Sequence, residues 1–152
     1  IDVLSVNKKN ISSFTKVNYI TDDTFENKAS NLHEEHAGIL LPGGPGVQSL
    51  FNNKELLQAI ARFNDLEKLI YAICGAPVIL YNAGILRNTR YTCLQSVSAM
   101  IKDGKREDVN VVIDGNIITA KAMGVSAEGA FAVLGKIKTT EDAVTFKSQY
   151  YY

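Results

Sequence analysis

Two places in this chain set small residues beside a group able to do chemistry. At residues 73–77 the order Ile, Cys, Gly, Ala, Pro puts the thiol of Cys74 directly after an apolar run and three residues before a proline. At residues 42–46 the loop Pro, Gly, Gly, Pro, Gly closes a second apolar run. Proline suits the first turn of a helix, where its missing N–H costs nothing, so Cys74 is expected between a strand end and a helix start. A side chain there sits on a forced backbone, points out of the sheet and faces the positive end of the helix dipole. That setting favours the thiolate, the form of cysteine that attacks electrophiles. Gly75 keeps the turn narrow, and its N–H faces an oxyanion formed at the sulfur; the Gly43, Gly44 pair on the neighbouring strand end can supply a second donor. The same spacing equally suits a cysteine packed as a small apolar core residue.

These residues need elements to hold them. Residues 37–41 and 69–73 are short, almost wholly apolar runs, the pattern of strands buried on both faces and hence of a parallel sheet. Between them Leu50, Leu56, Leu57, Ile60 and Phe63 recur at helical spacing, with Asn52, Asn53, Lys54, Glu55 and Arg62 opposite, and the helix ends near Asn64 and Asp65. A helix over 78–82 closing at Gly84 follows Cys74. Residues 1–6 alternate as a strand, residues 14–20 do so more weakly, and residues 21–35 read as a polar loop with one helical turn. Tyr91, Thr92 and Cys93 suggest a further strand. Residues 109–113 and 117–120 flank Asp114, Gly115 and Asn116, a hairpin signal. A helix over 126–137 can bury Ala127, Ala130, Phe131, Val133 and Leu134; a terminal helix fits 139–149, and Tyr150, Tyr151 and Tyr152 have no assigned role. Strands alternating with helices predict a single three-layer α/β domain with sites beyond the carboxyl ends of its strands.

Composition removes whole classes of function. Sixteen Lys and Arg balance sixteen Asp and Glu without a basic block, which argues against a nucleic-acid partner. At 46% hydrophobic and 21% charged residues the chain is globular rather than disordered, and no apolar run has the length of a membrane span. Two cysteines are too few for a disulfide scaffold and fit a reducing, cytoplasmic setting.

The runs Gly-Ile-Leu-Leu-Pro-Gly-Gly at 38–44 and Tyr-Ala-Ile-Cys-Gly-Ala-Pro at 71–77, then Ile118, Thr119, Ala120, Gly124, Ser126 and Glu128, span nearly the whole chain. Together they resemble the ThiJ/PfpI superfamily in its Parkinson-disease protein deglycase branch. The resemblance implies a flavodoxin-like fold, usually a homodimer, with Cys74 reactive and the Gly44 and Gly75 amides beside it. It implies glyoxalase or deglycase chemistry on small α-oxoaldehydes or their adducts, or an oxidative-stress sensor or chaperone whose cysteine is oxidised. It also implies a preceding strand and helix, carrying a glutamate that contacts the cysteine, which this chain lacks. Sheet completion by such a segment is therefore expected. Where some members carry a histidine after the elbow helix, this chain reads Thr92, Cys93, Leu94, Gln95, so a Cys-His pair is not expected.

Other residues read as structural. His33 and His36, beside Glu34 and Glu35, suit a solvated loop better than a metal site. Cys93 suits the core better than a resolving role, and Glu128 suits the first turn of its helix. The glycine loop lacks the Lys-Ser/Thr ending of a P-loop, so no nucleotide is expected. The chemistry of a thiol and two amides requires neither metal nor organic cofactor.

Overall fold

The computed structural model describes residues 1–150. In chain order its strands and helices are β1 (Leu4–Ser5), β2 (Asn10–Ser12), β3 (Asn18–Ile20), β4 (Asp23–Thr24), α1 (Phe25–Lys28), α2 (Leu32–Glu35), β5 (Gly38–Leu41), α3 (Lys54–Asp65), β6 (Leu69–Ile73), α4 (Pro77–Asn82), β7 (Arg90–Tyr91), β8 (Lys105–Arg106), β9 (Val111–Asp114), β10 (Ile117–Ala120), α5 (Ser126–Ile137) and α6 (Thr140–Tyr150). The main sheet runs β5-β6-β10-β9, with β5, β6 and β10 parallel and β9 antiparallel at one edge.

Side chains alternate across this sheet and so build two apolar layers. Ile70, Ala72 and Ile117 join the core under α3 and α4, where Leu56, Ile60, Phe63, Val78 and Ile79 are buried. Tyr71, Ile73, Ile118 and Ala120 join the core under α5, with Val133. The three layers and the mostly parallel sheet follow the sequence expectation. So does the hairpin: Gly115 takes φ 59° between β9 and β10, a value that glycine adopts freely.

Several boundaries differ. The helix expected from Leu50 begins at Lys54, because Asn53 caps it by accepting from the Leu56 amide at 3.0 Å, and Pro45–Leu50 is a separate 3-10 segment. Residues 1–6 yield only β1, paired parallel with β4. The weak alternation at 14–20 ends in β3, which pairs with β2 as an exposed antiparallel hairpin. The polar stretch 21–35 holds two one-turn helices instead of one, each pinned by a buried apolar residue, Phe25 and Leu32. On α5, Ala130 faces out and Gly129 faces in against Tyr71. The strand β5 is not covered on both faces: Leu40 remains 48% exposed, and β5 has no partner on its outer side among the described residues. Tyr151 and Tyr152 lie outside the described residues. Among those described, no helix is long and apolar enough to cross a membrane.

Candidate active site

Cys74 follows β6 directly and takes φ 66°. A non-glycine residue in this left-handed region carries strain on the order of 1–3 kcal/mol and persists only where its surroundings hold it. Here both of its backbone groups are tied. Its amide donates to the Ala120 carbonyl at 2.9 Å, and its carbonyl accepts from the Leu94 amide at 2.8 Å. The Ala76 amide closes the turn onto the Ile73 carbonyl at 3.1 Å, and Pro77 starts α4. The expected strand, sharp turn and helix are therefore present, although α4 has only six residues. The thiol is partly exposed and makes no hydrogen bond among the described residues.

The glycine loop after β5 meets this elbow. A Cβ on Gly43 would stand 2.6 Å from Cys74 Cβ, 2.8 Å from the Ile73 carbonyl oxygen and 3.2 Å from Cys74 Sγ. Only glycine lets the loop lie this close to the thiol. Gly44 takes φ 104°, and neither its amide nor that of Gly75 donates a hydrogen bond among the described residues. Two unpaired N–H groups thus sit in the residues flanking the Gly43–Cys74 contact. A Cβ on Gly75 would stand 3.1 Å from Val47 Cγ1 and 4.0 Å from Cγ1 of Val97, which lies in the 3-10 segment Gln95–Met100.

A second layer behind the thiol was not visible in the sequence. Cys93 is fully buried just after β7. Arg106, in β8 beside Tyr91, lies against it while its guanidinium donates to Gln95 Oε1 at 2.7 Å and pairs with Asp108 at 3.6 Å. Burial pushes the Cys93 thiol above its ordinary range, the Arg106 guanidinium offsets only part of that rise, and the neighbouring Cys74 adds to it. Thr92, beside it, donates its amide to Thr119 Oγ1 at 2.9 Å and its hydroxyl to the Val109 carbonyl at 2.9 Å, anchoring the segment to β10. The polar run at 102–108 gave no periodicity from which β8 and Arg106 could be picked out.

The remaining candidates fall elsewhere. The Glu128 carboxylate accepts from Asn110 Nδ2 at 3.0 and 3.1 Å, as a first-turn structural residue should. His33 and His36 belong to α2 and its end rather than to an open loop. Their Nε2 atoms face Glu34 at 4.0 Å and Asp2 at 3.5 Å, and no cluster able to hold a metal exists among the described residues. A depression of about 760 Å³ lies at the opposite ends of the strands, between Lys68 and Lys136, and includes none of the elbow residues.

Comparison with known proteins agrees with this architecture. The sequence pattern of the DJ-1/PfpI family matches residues 1–136. A glutathione-independent glyoxalase of Caenorhabditis elegans is 32% identical over 105 residues, covering 68% of this chain and 56% of that protein. A deglycase of Pyrococcus abyssi is 30% identical over 93 residues, covering 60% and 56%. The chain spans about half the length of such curated relatives. Among solved structures, Schizosaccharomyces pombe DJ-1 superimposes with a TM-score of 0.90 at 19% identity, covering all of this chain and 84% of that one. Drosophila melanogaster DJ-1beta gives 0.88 at 22%, covering 97% and 80%. At these identities the structural likeness speaks for the fold, which is the flavodoxin-like α/β arrangement the sequence led us to expect.

Proposed function

This chain belongs to the DJ-1/PfpI family, and we propose that its Cys74 is the nucleophile of a glyoxalase- or deglycase-type reaction on small α-oxoaldehydes or their adducts with amines. The observation that carries the reading is the strained, doubly anchored elbow at φ 66°, which holds a partly exposed thiol against a glycine loop. In this reading the thiolate adds to the aldehyde carbon and gives a hemithioacetal oxyanion. The unpaired Gly44 and Gly75 amides stabilise that charge, each oxyanion donor contributing on the order of 10²–10³ in rate. A proton then moves from the former aldehyde carbon to the neighbouring one, producing a thioester that water releases as a 2-hydroxy acid, with no net oxidation. The proton carrier must reach the two adjacent carbons of the hemithioacetal held on Sγ. The glutamate implied by the family resemblance fills that role. The glyoxalase and deglycase names carried by relatives at 30–32% identity support the substrate class.

Methylglyoxal consumption, followed as loss of the dicarbonyl and appearance of lactate, tests the proposal. Cys74→Ser and Cys74→Ala are expected to fall to the uncatalysed rate while keeping the parent's melting temperature to within a few degrees. Turnover surviving either substitution overturns it.

A further inference from the structure

Cys93 has no part in the reaction just described, yet three features place it as a partner for Cys74. The first is proximity. The Leu94 amide donates to the Cys74 carbonyl at 2.8 Å, so the residue next to Cys93 is bonded to the elbow, and the two thiols are close enough to interact electrostatically. A disulfide needs Cα atoms roughly 4.4–6.8 Å apart. The second is Arg106. Its Nε is buried and has no hydrogen-bond partner, while its Nη2 is held by Gln95. Lying beside the buried Cys93 thiol, this cation offsets part of the cost that burial puts on a thiolate there. The third is access. Cys93 is sealed at 0% exposure whereas Cys74 is partly open, so a dissolved oxidant meets Cys74 first.

We propose that Cys93 is a resolving thiol for Cys74, converting the product of peroxide attack at the elbow into a reversible Cys74–Cys93 disulfide that switches the site off. The proposal rests on Cys74 being the reactive thiol. In the first step the Cys74 thiolate attacks one oxygen of a hydroperoxide. The O–O bond breaks, hydroxide or alkoxide leaves, and the sulfur is oxidised by two electrons to the sulfenic acid as the peroxide is reduced. In the second step the Cys93 sulfur attacks the Cys74 sulfur, the S–O bond breaks, and the hydroxyl departs as water with the proton that Cys93 gives up. A small dithiol returns both residues to thiols. Without Cys93 the sulfenic acid is exposed to a second peroxide and goes on to the irreversible sulfinic acid.

Trypsin separates the two thiols, Cys74 in residues 69–87 and Cys93 in residues 91–102. After one equivalent of hydrogen peroxide, alkylation and non-reducing mass mapping, we expect these two peptides joined, two hydrogens lighter than their sum and released by dithiothreitol. Methylglyoxal consumption should fall in step with the link and return on reduction. In Cys93→Ser and Cys93→Ala, Cys74 should instead carry sulfinic acid that dithiothreitol does not remove. Arg106→Gln should form the link more slowly and shift product toward sulfinic acid. Sulfinic acid at Cys74 with Cys93 still alkylated in the parent protein overturns the proposal and leaves Cys74 as the nucleophile. Both thiols alkylated and unoxidised would overturn the reading of Cys74 itself.

Discussion

At the scale of single residues, the site depends on one contact that tolerates no added atom. Gly43 lies so close to the elbow that a methyl group would meet Cys74 Cβ at 2.6 Å and the Ile73 carbonyl at 2.8 Å. Neither neighbour is the free end of a flexible side chain, so loop or elbow must shift. We expect Gly43→Ala to lower stability by about 1–3 kcal/mol, as overpacking does, and to slow alkylation of Cys74 by iodoacetamide more than Gly46→Ala. At Gly46 a Cβ meets nothing within 4 Å and so makes the control. Equal labelling rates in the two variants would show that the loop does not shape the thiol's surroundings. The placement of Cys74, Gly75 and Gly44 at strand ends was legible in the sequence, because glycine and proline beside a thiol between apolar runs mark a sharp turn. Arg106 was not legible: one arginine in a polar stretch looks like any solvated cation until β8 pairs it with Tyr91 and aims it at Cys93.

Elements were legible where burial imposes a period and obscure where it does not. The strand β6 and the helices α3 and α5 show their periodicity because each buries a continuous apolar face, Ile70, Ala72 and Ile60 among them. The elements β1, β2, β3 and β4 have two or three residues each and little burial, so no pattern accumulates. The α5 face differs from the expected one at one step, because Ala130, expected in the buried face, is exposed. Gly129 is the residue that touches the sheet, and a Cβ there would come within 2.3 Å of the Tyr71 hydroxyl oxygen. Close approach of α5 to β6 therefore depends on the missing side chain. Gly129→Ala gains helix propensity yet must push α5 away from Tyr71, and we expect a net loss of about 1–3 kcal/mol. Adding Tyr71→Phe, which removes the nearest atom, should recover part of that loss in a denaturant melt. A stabilised Gly129→Ala variant would mean that the helix is not seated on this ring.

At the scale of the whole molecule, the sheet has an asymmetry that local patterning hides. The strand β9 closes one side as an antiparallel edge, but β5 on the other side is parallel and apolar, with Leu40 in water and its outer backbone groups unpaired among the described residues. Parallel strands of this composition normally lie inside a sheet, and an exposed apolar edge is a template for another strand. The sequence reading expected β5 to be buried for the same reason, and the resemblance pointed to a further strand and helix as its cover. If such a strand lies against β5 in the working protein, Leu40→Lys there costs about 1–3 kcal/mol, since a buried lysine must lose its water or displace the cover. That loss appears as a fall of several degrees in melting temperature, and half of the β5 amides that would otherwise exchange freely become protected from hydrogen exchange. On an open edge the same substitution leaves the melt unchanged and those amides exchange fast. The choice bears on chemistry as well as stability, because the loop carrying Gly43 and Gly44 grows directly from the end of β5. A loose β5 would blur the position of the Gly44 amide, and a covered one would hold it, so α-oxoaldehyde turnover should fall in Leu40→Lys only where the melting temperature falls with it.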